Sequence, residues 1–332
     1  MPTARARKLC PKLVVLPGDY ERYEQFSRWM FGYACDFTPD VEQPSVDEGY
    51  FDLSARRDRP AVEIARAIRE AVARRLRISV SQGLGANKLV CAIASKLGKP
   101  AAFREVPAGG EAAFLHPLPA RWLPGVGPKL GGRLAAAGLA SIRQVAATPV
   151  ELLELLVGGQ AAVLRRYAHG LDDRALVPAR EPQKTFSQQE TFGRDVTDEE
   201  HVRATLRRMA DELFAAVRGE GRSARTLTVK VRYNDFAEDT ASAGLAEPTD
   251  LESDVYGRLD ELLRAAWRRR VSLRLVALRL ADIHAGRFRG ELPLEVGSRG
   301  RAARERMDAV VDELRAARGR SVILRGHDLH LR

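Results

Sequence analysis

Two adjacent carboxylates pose the first chemical question. Asp47 and Glu48 lie in Ser45-Val46-Asp47-Glu48-Gly49-Tyr50-Phe51-Asp52-Leu53, a run opened by Pro44 and otherwise built of Val, Tyr, Phe and Leu. The pattern predicts a strand. Alternation along a strand sends neighbouring side chains to opposite faces, so one of the two acids would face a core. A buried carboxylate is costly unless it is paired or holds a metal. Two-metal phosphoryl transfer needs such acids, because they hold divalent cations that bridge the attacking and leaving oxygens. The competing reading is an edge strand or strand end with both acids in solvent, and the motif alone leaves it open.

A second signal is Leu123-Pro124-Gly125-Val126-Gly127-Pro128-Lys129. A GxG between two short helices lets backbone amides face outward at a helix N-terminus, a phosphate-binding device that needs no particular base. Lys129 adds a charge beside it. The alternative is an ordinary Gly-rich helix–helix turn. A third, weaker signal is Gly85-Ala86-Asn87-Lys88 followed by Lys96-Leu97-Gly98-Lys99-Pro100, whose lysines together could hold a triphosphate.

The elements that must position these residues alternate at first. The sequence predicts a short helix over Thr3–Cys10, a β run over Lys12–Leu16 and a helix capped by Asp19 that continues through Tyr33. After the Ser45–Leu53 strand, Pro60 opens an amphipathic helix. A strand at Ile78–Ser81, a Gly-rich turn at Gln82–Gly85, a helix at Ala86–Lys96 and a strand at Ala102–Val106 follow, giving a mixed sheet with helices on it. From about residue 110 short helical bursts are separated by Pro and Gly. Residues 173–183 read as a linker. Strands at 184–192, 226–235, 239–246 and 271–283, with helices at 198–217 and 249–268, then give a β-α-β-β-α-β order. A polar tail carries Glu291-Leu292-Pro293-Leu294-Glu295 and a charged helix at about 299–317.

Composition narrows the class. The chain has 332 residues, enough for two or three domains, since single cores stop growing near ~250–300 residues. Lys and Arg number 54 against 44 Asp and Glu, a formal charge of +10 that suggests a polyanionic partner. Only eight of the cations are Lys. The Arg bias suits bidentate phosphate contacts, and genomic base composition is an equal explanation. No stretch approaches the ~18–20 apolar residues of a membrane span, and no secretory signal is visible. Cys10, Cys35 and Cys91 have no CxxC spacing, and the six histidines form no HxxxH or HExxH pattern. A cytoplasmic, nucleic-acid-oriented protein is expected.

Taken together, these motifs resemble the Y-family of translesion DNA polymerases. Ser45-Val46-Asp47-Glu48 resembles the family's SxDE palm strand. Gly83 through Lys88 and on to Ser95-Lys96 resembles its GxxxNKxxAKxAS segment, and Gly98-Lys99-Pro100 the palm segment whose Lys contacts the incoming triphosphate. Residues 123–139 are similar to the thumb's helix-hairpin-helix, and Lys184 through Phe192 to the first strand of the little finger.

The resemblance implies an α+β multidomain chain. Residues 1–18 would be a connector remnant, 19–108 a palm remnant with a mixed sheet, and 109–172 the helix-hairpin-helix thumb. A linker over 173–183, the little finger over 184–285 and a tail over 286–332 would follow. It further implies Asp47 and Glu48 as catalytic, metal-holding acids for two Mg²⁺ and Lys99 as a nucleotide contact. Gly125, Val126, Gly127, Lys129 and Lys184 would be DNA contacts. The partners implied are primer–template DNA and dNTP, with no membrane, and the chain would act as a monomer.

Departures from the family pattern carry expectations of their own. Nothing in residues 1–46 matches the family's first motif, DxDxFFAxVE, while Met1 to Pro11 resembles the later segment GMPxxxAxxxCP. Loss of the first palm strand and of nearly all of the fingers, with impaired catalysis, is therefore expected. A non-catalytic DNA-binding accessory related to these polymerases is the alternative. In the tail, Glu291 and Glu295 replace the Gln and Phe of a QLxLF-type sliding-clamp peptide, leaving Leu292 and Leu294 as its possible anchors. An RNA-binding reading would need clustered aromatic platforms, and aromatic residues are only 6% of the chain.

Overall fold

Asp19 starts the first long helix in the way its position predicts. Its carboxylate accepts a hydrogen bond from Arg22 N at 3.0 Å, satisfying one of the amides that a helix start leaves unpaired. In the computed structural model, which describes residues 1–177, 182–286, 298–319 and 322–331, this helix is α2 (Tyr20–Cys35), preceded by α1 (Thr3–Leu9). The chain divides into two units, Met1–Arg180 and Glu181–Arg332. No helix among the described residues is long and apolar enough to cross a membrane.

In the first unit, α2 packs on α3 (Ala61–Leu76), burying Ala34 with Leu53, Ile64 and Ile68. The helix α3 begins after Pro60 and ends at Arg77, whose φ of 56° leaves the helical region. The strand expected at Lys12–Leu16 is not formed. Val14 and Leu16 are 77% and 79% exposed, and no described segment pairs with that run. Apolar residues with β propensity still need a ladder partner to become a strand.

The expected Ser45–Leu53 strand contracts to β2 (Tyr50–Phe51), which pairs antiparallel with β1 (Val41–Glu42). The strand expected at Ile78–Ser81 lies later, at β3 (Gln82–Leu84), in the stretch read as a turn. It pairs in parallel with β4 (Phe103–Glu105). Gly83 marks a close approach rather than a turn, since a Cβ there would collide with the Cys91 carbonyl of α4 (Lys88–Lys96). Two separate two-stranded sheets thus stand where one mixed sheet was expected.

Five further helices follow: α5 (Glu111–Leu115), α6 (Pro128–Ala136), α7 (Ile142–Ala147), α8 (Val150–Val157) and α9 (Ala161–Ala168). Their core of Leu115, Leu134, Ile142 and Leu153 is continuous with Leu89, Val90 and Ile93 of α4. Burying each such side chain is worth about 1.5–3 kcal/mol. The helical part is therefore fused to the β3–α4 element through one apolar cluster. The expected linker over 173–183 begins later than its composition suggests, because residues 172–177 are hydrogen-bonded to this unit.

The second unit runs β5 (Phe186–Val196), α10 (Glu199–Gly219), β6 (Arg222–Tyr233), β7 (Glu238–Thr249), α11 (Tyr256–Ala266) and β8 (Leu273–Ala285). The four strands form one antiparallel sheet in the order β5-β8-β6-β7. The two helices cover one face, where Phe214 and Leu259 pack with Leu227, Val229, Val231 and Leu278.

The charged C-terminal helix is α12 (Ser298–Arg318). It is tied to this unit by an ion-pair network around buried Glu252, so the expected tail is partly a docked element. Arg218 bonds Asp312 at 2.8 Å and Glu252 at 2.5 Å, and Arg325 bonds Asp308 at 2.7 Å and also Glu252. Leu292 and Leu294, the expected clamp anchors, lie outside the described residues.

Candidate functional site

Ser45 shapes the acidic segment. Its Oγ accepts from Glu48 N at 3.0 Å and donates to Asp47 Oδ1 at 2.7 Å. A serine hydroxyl that bonds nearby backbone competes with strand pairing, which is why residues 45–48 form a turn and not a strand. Both acids are exposed there. Of the two readings the motif left open, the one with both acids in solvent is observed. Glu48 lies 3.8 Å from Lys96 Nζ at the end of α4.

The foot of this loop is held by Glu42, which the sequence did not single out, and by Lys88, expected instead to help hold a triphosphate. Glu42 stands opposite Tyr50 across β1 and β2. Lys88 Nζ donates to both Glu42 oxygens at 2.8 and 2.6 Å and lies 5.2 Å from the centre of the Tyr50 ring. Burial pushes the Glu42 carboxyl up, but the Lys88 hydrogen bond, the Val177 amide and the Lys88 charge hold it below its ordinary value. Lys88 is thus committed to a buried ion pair and not to a triphosphate. A partly apolar setting, between Val41 and Pro44, was the only sequence signal for Glu42.

Asp172 was also missed. It accepts from Leu89 N at 2.9 Å and from Arg174 at 2.8 and 2.7 Å. Asn87 caps the same helix, accepting from Val90 N at 3.0 Å. Lys99 is exposed in the turn after α4, and it is Lys96 that the fold brings to Glu48.

In the 123–129 segment, Leu123 and Val126 are buried in the helical core, so Val126 anchors the loop. The Val126 amide bonds Leu123 O and the Gly127 amide bonds Gly125 O. The outward donors are therefore one step later. Pro128 has no N–H, and the amides of Lys129 and Leu130 in the first turn of α6 have no intrahelical partner. Gly125, at φ +84°, needs the left-handed freedom of glycine. Lys129 is exposed beside this helix start, and Lys184 is exposed just before β5.

Among the described residues, the face of the second unit's sheet away from its two helices is polar, and its Lys230 and Arg232 pair with Glu238. Ser187, Arg279, Thr228 and Ser242 form one cross-strand row, and Gln189, Ala277, Lys230 and Thr240 the next. Hydroxyl, amide and cationic groups of this kind bind phosphate and sugar without reading sequence. Alternation of Leu227, Val229 and Val231 with Thr226, Thr228 and Lys230 was the available signal for this face.

The fold has known counterparts among Y-family DNA polymerases. A Y-family polymerase chimera of Dbh and Dpo4 superposes with a TM-score of 0.76 at 21% identity, over 86% of this chain and 83% of that one. The insertion ternary complex of Dbh DNA polymerase gives a TM-score of 0.55 over the same shares. In sequence, the impB/mucB/samB family matches residues 1–96, and its C-terminal domain matches residues 183–292. A DNA polymerase IV of Opitutus terrae is 40% identical over 99% of this chain and 84% of its own length. One from Desulfatibacillum aliphaticivorans is 35% identical over 85% of this chain and 72% of its own. The chain belongs to the impB/mucB/samB family, the Y-family of DNA-directed DNA polymerases. The family match begins at residue 1, so the expected loss of an N-terminal palm segment finds no support in these comparisons.

Proposed function

We propose that this chain carries out translesion DNA synthesis, joining a dNTP to a primer 3′-OH with Asp47 and Glu48 as its metal-holding acids. The observation that carries the reading is the family match over residues 1–96 and 183–292, and the Ser45-closed turn leaves both carboxylates exposed within the first of these segments. Among the described residues no group of three or more His, Cys, Asp or Glu side chains gathers as metal ligands. The donor chemistry still fits Mg²⁺, which is commonly held by one or two carboxylates together with substrate phosphates and water. Two such ions would supply charge neutralisation at the α-phosphate and activation of the attacking hydroxyl.

The chain's own residues do the rest. Lys96 steadies Glu48, and Lys99 contacts the triphosphate. The start of α6, with Lys129, binds DNA backbone, and so do Lys184 and the polar sheet face of the second unit. A preorganised cation beside the developing charge stabilises the transition state more than the ground state. In this reading the protein works as a cytoplasmic monomer on primer–template DNA, with Leu292 and Leu294 as its clamp contacts.

Primer extension with Mg²⁺ tests the proposal. Extension that is lost in Glu48→Gln and Asp47→Asn supports it. Tight, salt-sensitive DNA binding without extension supports the accessory role instead, and slow extension would match the impaired catalysis expected from the unmatched first motif.

A further inference from the structure

Three parts of the first unit meet at Glu42. It stands in β1, opposite Tyr50 of β2, at the foot of the loop that carries Asp47 and Glu48. The Lys88 ammonium grips both strands there, bonding the Glu42 carboxylate and lying over the Tyr50 ring. The Val177 amide donates to Glu42 Oε2 at 2.8 Å, and Ala175 O accepts from Lys88 at 3.2 Å. These two residues belong to a strap that Asp172 fastens to the N-terminus of α4 through Leu89 N. The far end of α4 supplies Lys96 to Glu48. One helix therefore holds the acidic loop at its foot and near its tip.

The pair is poorly placed to exchange its partners for water. The Lys88 and Glu42 side chains are 9% and 18% exposed. Removing either leaves a charge stranded in a largely dry site, and the loop foot must then move to solvate it. Both Glu42 oxygens already accept hydrogen bonds within the unit.

We infer that Glu42 is a positioning residue, which with Lys88 fixes the Asp47–Glu48 turn against α4 and the 172–177 strap and so sets where the two acids meet a divalent cation. The inference rests on the reading of Asp47 and Glu48 as metal ligands. Productive ligand geometry holds only within about 0.5 Å, a tolerance that a loosened hairpin foot exceeds. Neither Glu42 nor Lys88 touches substrate in this account. Each acts through the loop that it holds.

Tb³⁺ luminescence titration of the full chain reads the acid pair without catalysis, alongside kcat and KM for dNTP in primer extension. Asp47→Asn serves as the reference. Glu42→Gln and Lys88→Met are expected to weaken Tb³⁺ binding at least tenfold and to lower kcat to match. KM for dNTP should stay within threefold and primer–template affinity within twofold. The double variant should be no worse than the poorer single one, because both remove the same pair. Val177→Pro deletes the strap amide and leaves the pair, so a weakening of about threefold is expected.

A folded Glu42→Gln chain with Tb³⁺ affinity and kcat within twofold of the unmodified chain overturns the inference. So does a loss of Tb³⁺ binding that is matched by an equal loss of DNA affinity, which would make the pair a general support of the fold. An unmodified chain that binds Tb³⁺ through Asp47 and Glu48, with weaker binding in Glu42→Gln, yet never extends a primer leaves the inference standing and removes the polymerase reading. An Asp47→Asn chain with unchanged Tb³⁺ binding removes both.

Discussion

Asp172 accepts the Leu89 backbone amide at 2.9 Å across 83 residues of sequence. The contact caps α4 from outside and closes the chain of the first unit back on the element that faces the acidic turn. The Asp172 side chain is fully buried apart from its bond to Arg174. Although burial alone would raise it, the Arg174 and Leu89 hydrogen bonds hold its carboxyl below the ordinary range.

Asp172→Ala should therefore cost the first unit about 2–3 kcal/mol, combining a lost helix cap with a buried amide left unpaired. Asp172→Asn keeps an acceptor and should cost less. Urea unfolding followed by a probe confined to this unit checks the order of the two. Equal stability of the Ala and Asn variants would show that Leu89 N finds another partner.

Glu252 predicts a pH dependence for the second unit. Burial pushes its carboxyl from the ordinary 4.5 up to about 7, even though Arg218 and Arg325 favour the charged form. Asp211, Asp308, Asp312, Tyr256 and His327 share this network. A folded-state pKa above the unfolded one means that the folded state binds the proton more tightly. The stabilising contribution is then complete below 4.5 and is lost as pH rises toward 7. Thermal melting at constant ionic strength should show stability falling across that window, and Glu252→Gln should flatten it. An unchanged slope in Glu252→Gln would assign the titration to another group.

The parts of the fold that were legible in the sequence are those set by neighbours in the chain. Asp19 and Pro60 announce helices because capping and fixed φ act within one turn. The β-α-β-β-α-β order of the second unit follows from alternation and from breaks at Gly and Pro, which are local too. Gly83 misled because close packing on Cys91 and a turn both call for glycine. Ser45 misled because its side chain closes a turn inside an otherwise strand-like run. Lys88 looked like a phosphate ligand since its partner Glu42 is 46 residues away, a distance no spacing rule spans. The acids themselves were legible as residues, but their exposure was not, because it depends on a turn that only the backbone bonds reveal.

DNA grip can be separated from chemistry by salt. Each phosphate contact neutralised by a cation adds about one to the slope of log affinity against log salt. Lys129→Ala should lower that slope by about one and weaken binding evenly across sequences. Glu48→Gln should leave the slope unchanged, since the proposed function gives Glu48 to metal and not to phosphate. Fluorescence anisotropy on primer–template DNA over a range of salt concentrations makes the comparison. A Lys129→Ala slope equal to that of the unmodified chain would remove the start of α6 from the DNA surface.

Ser45 offers the sharpest separation of loop shape from fold. Its hydroxyl accepts from Glu48 N at 3.0 Å and donates to Asp47 Oδ1 at 2.7 Å, and all three residues are exposed. A solvent-exposed cap of this kind is worth only about 1 kcal/mol to stability, so Ser45→Ala should melt close to the unmodified chain. Its effect on geometry should be larger. Without the hydroxyl, the Glu48 amide turns to water and the two carboxylates lose their fixed separation, which lowers kcat about tenfold or more through misplaced ligands. Ser45→Thr keeps the hydroxyl and should restore most of the rate. Steady-state primer extension of the two variants, read beside their melting temperatures, decides the matter. Equal rates for Ala and Thr would mean that the turn is held by Lys96 and Lys88 alone, and that the serine only records how the loop folds.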